Sequence, residues 1–360
     1  MNNKTIIYLV RRLFFYLLAG FMAISLNFLI PRMMPGDAAS IMFAQFRGKM
    51  PIENLQALKQ TFGFPEAEPF IDNNNNNVWD NNEEYTDWNK NNKYDSKPSI
   101  IKNYFSYLSH LLDGDLGTSI SYFPQPVTTV IASGLYWTLF LAGFSLIISF
   151  LMGSFIGIYL SWYRDQKLDS ILLPLLSFLG AFPYFWIAMF LLYYFGFKFE
   201  LFPLRHAYDQ SVVPGMNLEF IGSVIYHSIL PAFTMIFVSL GGWILSMRNN
   251  MISTLGSEYI NFAKAIGYNR KILMYTYAAR NALLPNITGF GMALGFILSG
   301  ALMTEIIFSY PGQGYLLLQA VRAQDYPLLQ GIFLTITFSV LLSNFIVDFI
   351  ILILDPRVRK

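Results

Sequence analysis

The chain has 360 residues, of which 54% are apolar, 17% aromatic and only 13% charged. A soluble array of two or three domains could not keep so much apolar surface wetted, so a polytopic membrane protein is expected. The net charge of +2 forms no dense basic face, which argues against a nucleic-acid partner, and the absence of cysteine excludes disulfides, thiolate metal sites and cysteine catalysis.

In chain order, charge-free stretches occupy residues 13–30, 135–161, 171–197, 227–247, 281–304 and 326–347. With a few flanking residues each is long enough to cross a hydrocarbon core of roughly 30 Å at about 1.5 Å of rise per residue. An all-α protein with six transmembrane helices is therefore predicted. Pro174, Pro183, Pro231, Gly289, Gly291 and Gly295 would break helices in water but are usual in membrane bundles, where neighbours re-satisfy freed backbone groups. Arg11-Arg12-Leu13-Phe14-Phe15 can be read as a twin-arginine export signal, yet no small-residue cleavage site follows it, so the first span is expected to remain uncleaved.

Lysine and arginine set the orientation. Lys4, Arg11, Arg12, Arg164, Lys167, Arg248, Lys264, Arg270, Lys271, Arg280, Arg357, Arg359 and Lys360 fall on one side, against Lys198, Arg205 and Arg322 in the short loops of the other. The positive-inside rule then makes both termini cytoplasmic and residues 31–134, a segment too long to be governed by it, extracytoplasmic. Three regions follow. Residues 1–30 are the cytoplasmic end and first span, 31–134 an external subdomain with an insertion at 66–98, and 135–360 the transmembrane core with a cytoplasmic segment at 248–281. Within the external subdomain, residues 51–60 and 100–112 have the apolar spacing of helices able to lie on the membrane surface.

The cytoplasmic segment is amphipathic. Its sequence assigns Tyr259, Phe262, Ala263 and Ile266 to one face and makes Gly267 the helix stop. A short helix between two spans, small at Ala263, Ala265 and Gly267, can seat in a groove of a soluble partner and carry its movement into the membrane. On pattern alone it reads more readily as an interfacial linker. Elsewhere, Asp348 interrupts the sixth span and Glu305 closes the fifth, and an ionisable group at that depth is costly unless paired. Asp348 is given a structural role, snorkelling or pairing with a basic residue of a partner subunit, and Glu305 an interfacial one. His110, His206 and His227 are too scattered for a metal site. Lipid contact and interfacial anchoring explain most aromatics of the third span, among them Phe182, Trp186 and Tyr193.

Ser257-Glu258-Tyr259-Ile260-Asn261-Phe262-Ala263-Lys264-Ala265-Ile266-Gly267, followed by Arg280-Asn281-Ala282-Leu283-Leu284-Pro285, resembles the "EAA" loop of permease subunits of binding-protein-dependent ABC importers, in the peptide and nickel branch. Further landmarks of that branch stand in order: Pro35-Gly36-Asp37, Gly114-Asp115-Leu116-Gly117-Thr118-Ser119, Pro183-Tyr184-Phe185-Trp186, Thr304-Glu305 through Pro311-Gly312-Gln313-Gly314, Asp325-Tyr326-Pro327 and Leu354-Asp355-Pro356-Arg357. The resemblance covers nearly the whole chain except residues 66–98. It implies a type I importer permease in the cell (inner) membrane, paired with a second homologous permease, two cytoplasmic ATPase subunits and an extracytoplasmic solute-binding protein. It also implies that Glu258, Tyr259, Phe262, Ala263, Ala265 and Gly267 couple this chain to the ATPase. Tyr259 and Ile260 depart from the alanines of the strict pattern. The sequence offers no G-x-x-x-x-G-K-[ST] loop, so ATP hydrolysis is expected on partner subunits and no catalytic residue on this chain. Peptides are the expected cargo, with nickel or an oligosaccharide as alternatives.

The insertion carries its own signal. Asp72, Asn74, Asn76, Asp80 and Glu83 fall at positions one, three, five, nine and twelve of a calcium loop, with the Val78 carbonyl at seven. Asp87, Asn89, Asn91, Lys93 and Asp95 repeat the pattern fifteen residues on, but Pro98 takes the twelfth position, leaving this copy incomplete. These loops resemble tandem loops of dockerin-like or thrombospondin-like repeats, and a structural calcium ion is expected. The competing reading is a low-complexity asparagine tract.

Two other function classes stay in view. An ion-coupled secondary transporter should show inverted repeats and broken helices around midplane acids, and an intramembrane enzyme a nucleophile with its base or a metal motif. Neither pattern is clear in this chain.

Overall fold

A computed structural model describes residues 3–33, 67–74, 76, 78–81, 83–87, 93–97, 99–164, 167–297 and 301–354. The landmark at residues 35–37, the expected helix at 51–60 and the last six residues lie outside these. In chain order come α1 (Asn3–Met33), α2 (Ile100–Leu112), α3 (Val127–Trp162), α4 (Lys167–Ala181) and α5 (Tyr184–Leu191), which runs on as a π-helical turn over Leu192–Lys198. Then follow α6 (Leu218–Leu255), α7 (Glu258–Ala265), a π-helical Ile272–Ala279 leading into α8 (Arg280–Gly295), α9 (Leu302–Ile307), α10 (Gln313–Ala323) and α11 (Tyr326–Leu354). Among the described residues, β pairing is confined to isolated bridges, Phe70 with Tyr85 and Thr118 with Pro126.

Among the described residues, four helices are long and apolar enough to cross a membrane, over Val10–Leu29, Val127–Trp162, Leu218–Leu255 and Tyr326–Phe349. The other two expected spans are not single helices. The third breaks after Ala181, because Pro183 has no amide hydrogen to donate and holds an extended ψ of 126° ahead of α5. In the fifth, α8 ends at Gly295, with Phe296 at φ −89° and ψ 2°, and α9 begins at Leu302.

The chain divides into two compact units, one of Met1–Phe21, Ser133–Leu316 and Thr335–Lys360, the other of Met22–Ala132 and Leu317–Leu334. In the first, α3 and α6 approach closely where α3 carries Gly153 and Gly157: a Cβ on Gly157 would stand 2.7 Å from the Ile244 carbonyl oxygen. Small residues one turn apart let backbones meet without help from the hydrophobic effect, which is absent between helices in lipid. A polar junction ties in α8. The Ser246 hydroxyl donates to Asn286 Oδ1 at 2.7 Å, and Asn286 Nδ2 donates to Ser154 Oγ at 3.0 Å. Leu141, Leu191, Leu230, Phe308 and Tyr310 form an apolar core of the same unit.

In the second unit, α2 is the helix expected at 100–112, N-capped by Ser99 Oγ accepting from Lys102 N at 3.3 Å. Tyr104 and Tyr107 fasten it to the end of α1, their rings 5.1 and 5.4 Å from Phe28, with the Tyr104 hydroxyl 2.6 Å from Ser25 Oγ. Ile101 and Phe105 remain exposed on its other side.

Candidate functional site

The segment that carries α7 is built on a methionine-rich seat. Met247, Met251, Ile260, Met274, Ala278, Ala279 and Ala282 form one buried cluster, to which α7 contributes Ile260, and Ala263 of the same helix is also buried. Methionine's flexible thioether fills the irregular space between a short helix and two long ones. Gly267 sits at φ +89°, with its amide donating to Lys264 O at 3.0 Å and the Tyr268 amide to Ala263 O at 3.3 Å. This is a left-handed glycine closing a helix, as expected from the sequence. Asn281 Nδ2 donates to the Tyr259 hydroxyl at 2.9 Å and so ties the start of α7 to α8.

The face that α7 leaves open differs from the one expected. Ala263 is only 3% exposed and faces the seat, whereas Phe262 is 68% and Ile266 59% exposed. Glu258, Ala265 and Gly267 are exposed with them, and Tyr259 is 41% exposed. The spacing argument failed at Ala263 because an eight-residue helix has room for only one inward turn, and Ile260 with Ala263 fills it. What remains outward is an apolar patch on a rigid support.

The two intramembrane acids are both partnered within the chain. Asp348 lies 3.4 Å from Arg12 Nε and accepts from the Tyr16 hydroxyl at 2.6 Å, so within the chain its pair comes from α1. Arg12→Asp is expected to lower the amount of inserted subunit several-fold by placing two carboxylates together, and Arg12→Asp with Asp348→Arg to restore it. Membrane quantification that shows no fall, or a fall without rescue, would remove this role for the pair.

Glu305 is enclosed by the protein. It is 0% exposed, with Thr138 Oγ1 donating to Oε1 and the Gly314 amide to Oε2, both at 2.6 Å, while the Gln313 amide donates to Thr138 Oγ1 at 2.8 Å. The loop after α9 folds back over the carboxylate, and this is why glycine stands at 312 and 314. A Cβ on Gly312 would fall on the Glu305 carboxyl itself, and one on Gly314 would come 2.5 Å from Leu302 Cα. In the other unit a second pair of landmarks meets: Asp325 accepts from Ser119 Oγ and from the Ser121 amide at 2.9 Å, and caps α11 by accepting from the Leu328 amide at 3.1 Å.

The described residues between 72 and 83 form a net of short-range hydrogen bonds. Asp72 Oδ1 accepts from the amides of Asn74 and Asn76, Asn74 Oδ1 from the Asn76 amide and Asn76 Oδ1 from the Val78 amide, at 2.8 to 3.3 Å. The Asp80 carboxylate gathers Asn74 Nδ2 and Asn76 Nδ2 at 2.7 and 3.1 Å, and Glu83 receives the amides of Asn73 and Asp80 at 2.9 and 3.1 Å. Among the described residues no three carboxylate, histidine or cysteine side chains are grouped closely enough to hold an ion by themselves. The first loop's expected ligands are three carboxylates, two amides and one backbone carbonyl. Of the second loop, Asn89 and Asn91 lie outside the described residues, while Asp87, Lys93 and Asp95 lie within them.

Sequence comparison bears on the whole arrangement. Residues 149–360 match the model of the binding-protein-dependent transport system inner membrane component. The chain belongs to that family. Among relatives, a probable D,D-dipeptide transport system permease protein, DdpB of Escherichia coli K12, is 33% identical over 272 residues, which is 71% of this chain and 79% of the relative. The dipeptide transport system permease protein DppB of Lactococcus lactis subsp. cremoris is 29% identical over 98% of this chain and 99% of its own length. The oligopeptide transport system permease protein AppB of Bacillus subtilis is 31% identical over 74% of this chain.

Family membership makes this a multi-pass permease subunit of the inner membrane and a transport component, not an enzyme, with ATPase activity on a separate subunit. The matched region contains α7, Glu305, Asp325 and Asp348. Residues 31–134 lie outside it, although the alignment to the Lactococcus relative covers 98% of this chain. Sequence reading missed Glu68, which is 3% exposed and accepts from the Asp95 amide at 2.9 Å. Extending the fifteen-residue repeat upstream would have found it, because Glu68 precedes Asp72 as Glu83 precedes Asp87.

Proposed function

We propose that the chain is the translocating permease of an ATP-driven importer for peptides, working with a second homologous permease, two cytoplasmic ATPase subunits and an extracytoplasmic solute-binding protein. The observation that carries this reading is α7: an apolar outer face, Phe262 and Ile266, on a helix whose inner face is fixed in the seat of Met247, Met251 and Met274. A rigid helix exposing aromatic area is suited to fill a groove of a soluble partner and to transmit its movement. Peptide cargo follows from the relatives, all three of which are named as dipeptide or oligopeptide permeases. Ion coupling is disfavoured because Asp348 is neutralised by Arg12 and Glu305 is held by Thr138 and Gly314, leaving neither acid available as a carrier site.

In this reading the broken third and fifth segments complete a six-span bundle with both termini cytoplasmic and residues 31–134 outside. Isolating the tagged chain from native membranes is expected to co-isolate ATPase subunits and a second permease. Recovery of the chain as a lone or self-associated protein with ion-driven uptake would overturn the assignment.

A structural calcium ion in residues 72–83 is part of the same proposal. Hard oxygen donors at positions one, three, five, seven, nine and twelve suit calcium, and amides in place of carboxylates at positions three and five suit the weak range of extracellular modules, about 10⁻⁴ to 10⁻³ M. Calcium is therefore expected to protect residues 66–98 of the purified subunit from proteolysis at millimolar concentration, and Asp72→Ala to abolish that protection. Equal cleavage with and without calcium would leave the tract without an ion.

A further inference from the structure

We propose that α2 is an in-plane membrane anchor, with the stripe Ile101, Phe105, Leu108 and Leu112 seated in lipid at the level where α1 and α11 leave the bilayer. The proposal rests on the chain being a membrane protein and not on its cargo or its source of energy.

Helical spacing defines the stripe. Residues 101, 105, 108 and 112 stand at i, i+4, i+7 and i+11 and so share one side of α2. Ile101 and Phe105 are each 65% exposed and Leu112 89%, while Leu108 is half-buried. By the same spacing Asn103 and His110 fall on the opposite side, and the exposed Lys102, Ser106 and Ser109 form a polar flank between the two. The other flank carries Tyr104 and Tyr107, whose rings meet Phe28 of α1. An apolar side, a polar side opposite it and a fastened flank make up the pattern of a helix lying in a membrane surface.

What covers the stripe is set by depth. The Tyr104 hydroxyl is 2.6 Å from Ser25 Oγ, and Ser25 and Phe28 both lie within the apolar span Val10–Leu29. Asn27 Nδ2 donates to Gln330 O at 2.9 Å and Gln330 Nε2 donates back to Asn27 O at 3.1 Å. The end of that span is therefore level with the start of the span Tyr326–Phe349. The chain leaving α2 stays at this level. Gly114, at φ +75°, closes the helix, and a Cβ on Gly331 would meet Leu116 Cδ1 at 3.4 Å. Both the middle of α2 and the turn after it are thus held where two spans end, which is the depth of the headgroups and upper acyl chains. Tyrosine is enriched at that depth, as at Tyr104 and Tyr107.

Lipid is the occupant that this position supplies, and the stripe continues the lipid-facing surface that Met22, Leu26 and Leu29 expose on the same end of α1. Lys102 is the one lysine or arginine of α2, so zwitterionic lipid suffices and no anionic headgroup is called for. The anchor runs directly into the turn whose Ser119 and Ser121 hold Asp325, and so fixes the height at which α11 begins.

Spin labels read this depth. The chain has no cysteine, so a single introduced one is labelled without background. In the full-length subunit in phosphatidylcholine nanodiscs, labels at Ile101→Cys, Phe105→Cys and Leu112→Cys are compared with labels at Lys102→Cys and Ser109→Cys. The first three are expected to collide with oxygen, relative to a water-soluble nickel chelate, about threefold more often than the other two. Equal ratios at Phe105 and Lys102 would put the stripe in water, and shielding of Phe105 and Leu112 from both reagents would put protein over it. Either result overturns the proposal. A second measurement needs no substitution: the unmodified subunit, isolated with its partners, is photolysed in phosphatidylcholine carrying a diazirine high on one acyl chain. Adducts within residues 99–112 are expected, and their absence beside adducts on α1 would equally overturn the anchor.

Discussion

Phe262→Ala is expected to cut ATP-driven uptake by roughly 30-fold, and Gly267→Arg to abolish it, with both variants inserted in the membrane at normal levels. Phe262 is 68% exposed and makes no part of the buried methionine cluster, so truncating it removes little from the fold, within about 0.5 kcal/mol. Its effect must come from a partner. An aromatic anchor seated in a partner's groove is worth about 2 kcal/mol or more, which sets the 30-fold figure. Gly267 acts through the backbone. At φ +89° a side chain costs about 1 to 2 kcal/mol even though nothing lies within 4 Å of a Cβ there. An arginine would unwind the end of α7 and bring a charge beside Ile266. Uptake and ATPase stimulation measured in reconstituted vesicles check both, and wild-type values for either variant would take α7 out of the coupling path.

The second large effect is expected at Glu305. Replacing it by alanine leaves the Thr138 hydroxyl and the Gly314 amide buried without their shared acceptor, at about 1 to 3 kcal/mol for each group. Gly314→Ala attacks the same knot from the other side, by driving a methyl group toward Leu302 Cα at 2.5 Å, and overpacking of this kind costs about 1 to 3 kcal/mol. Both variants are expected to lower the midpoint of thermal aggregation in detergent by several degrees and to reduce accumulation in the membrane. Glu305→Gln keeps one acceptor oxygen and is expected to fall between them and wild type. Unchanged melting of Glu305→Ala would show that the loop after α9 does not depend on the carboxylate.

Much of this was legible in the sequence because lipid makes simple demands. A long charge-free stretch must be helical to satisfy its own backbone, and α1, α3, α6 and α11 meet that expectation. Gly267 was legible for an equally local reason, since a glycine after an amphipathic turn predicts a left-handed stop. The break at Pro183 was harder to read, as Pro174, Pro231 and Pro285 lie inside helices that continue through them. Whether a proline interrupts a helix depends on whether its surroundings absorb the freed carbonyl, and that is a tertiary property.

The acids show the same division. That Asp348 and Glu305 would be costly in lipid is plain from their type, but Arg12 and Thr138 are chosen by helix placement. The inward turn of Ala263 depends likewise on where α7 lands on its seat. Glu68 was hidden differently, because a calcium-loop template starts at its first aspartate and never looks four residues before it.

The most direct measurement is uptake of a labelled dipeptide into proteoliposomes holding this permease with its second permease, ATPase subunits and binding protein. Expected is accumulation that requires ATP and the binding protein, persists when ion gradients are collapsed, and is lost with Gly267→Arg. Accumulation driven by an ion gradient without ATP, or indifferent to the Gly267 substitution, would contradict an importer coupled through α7.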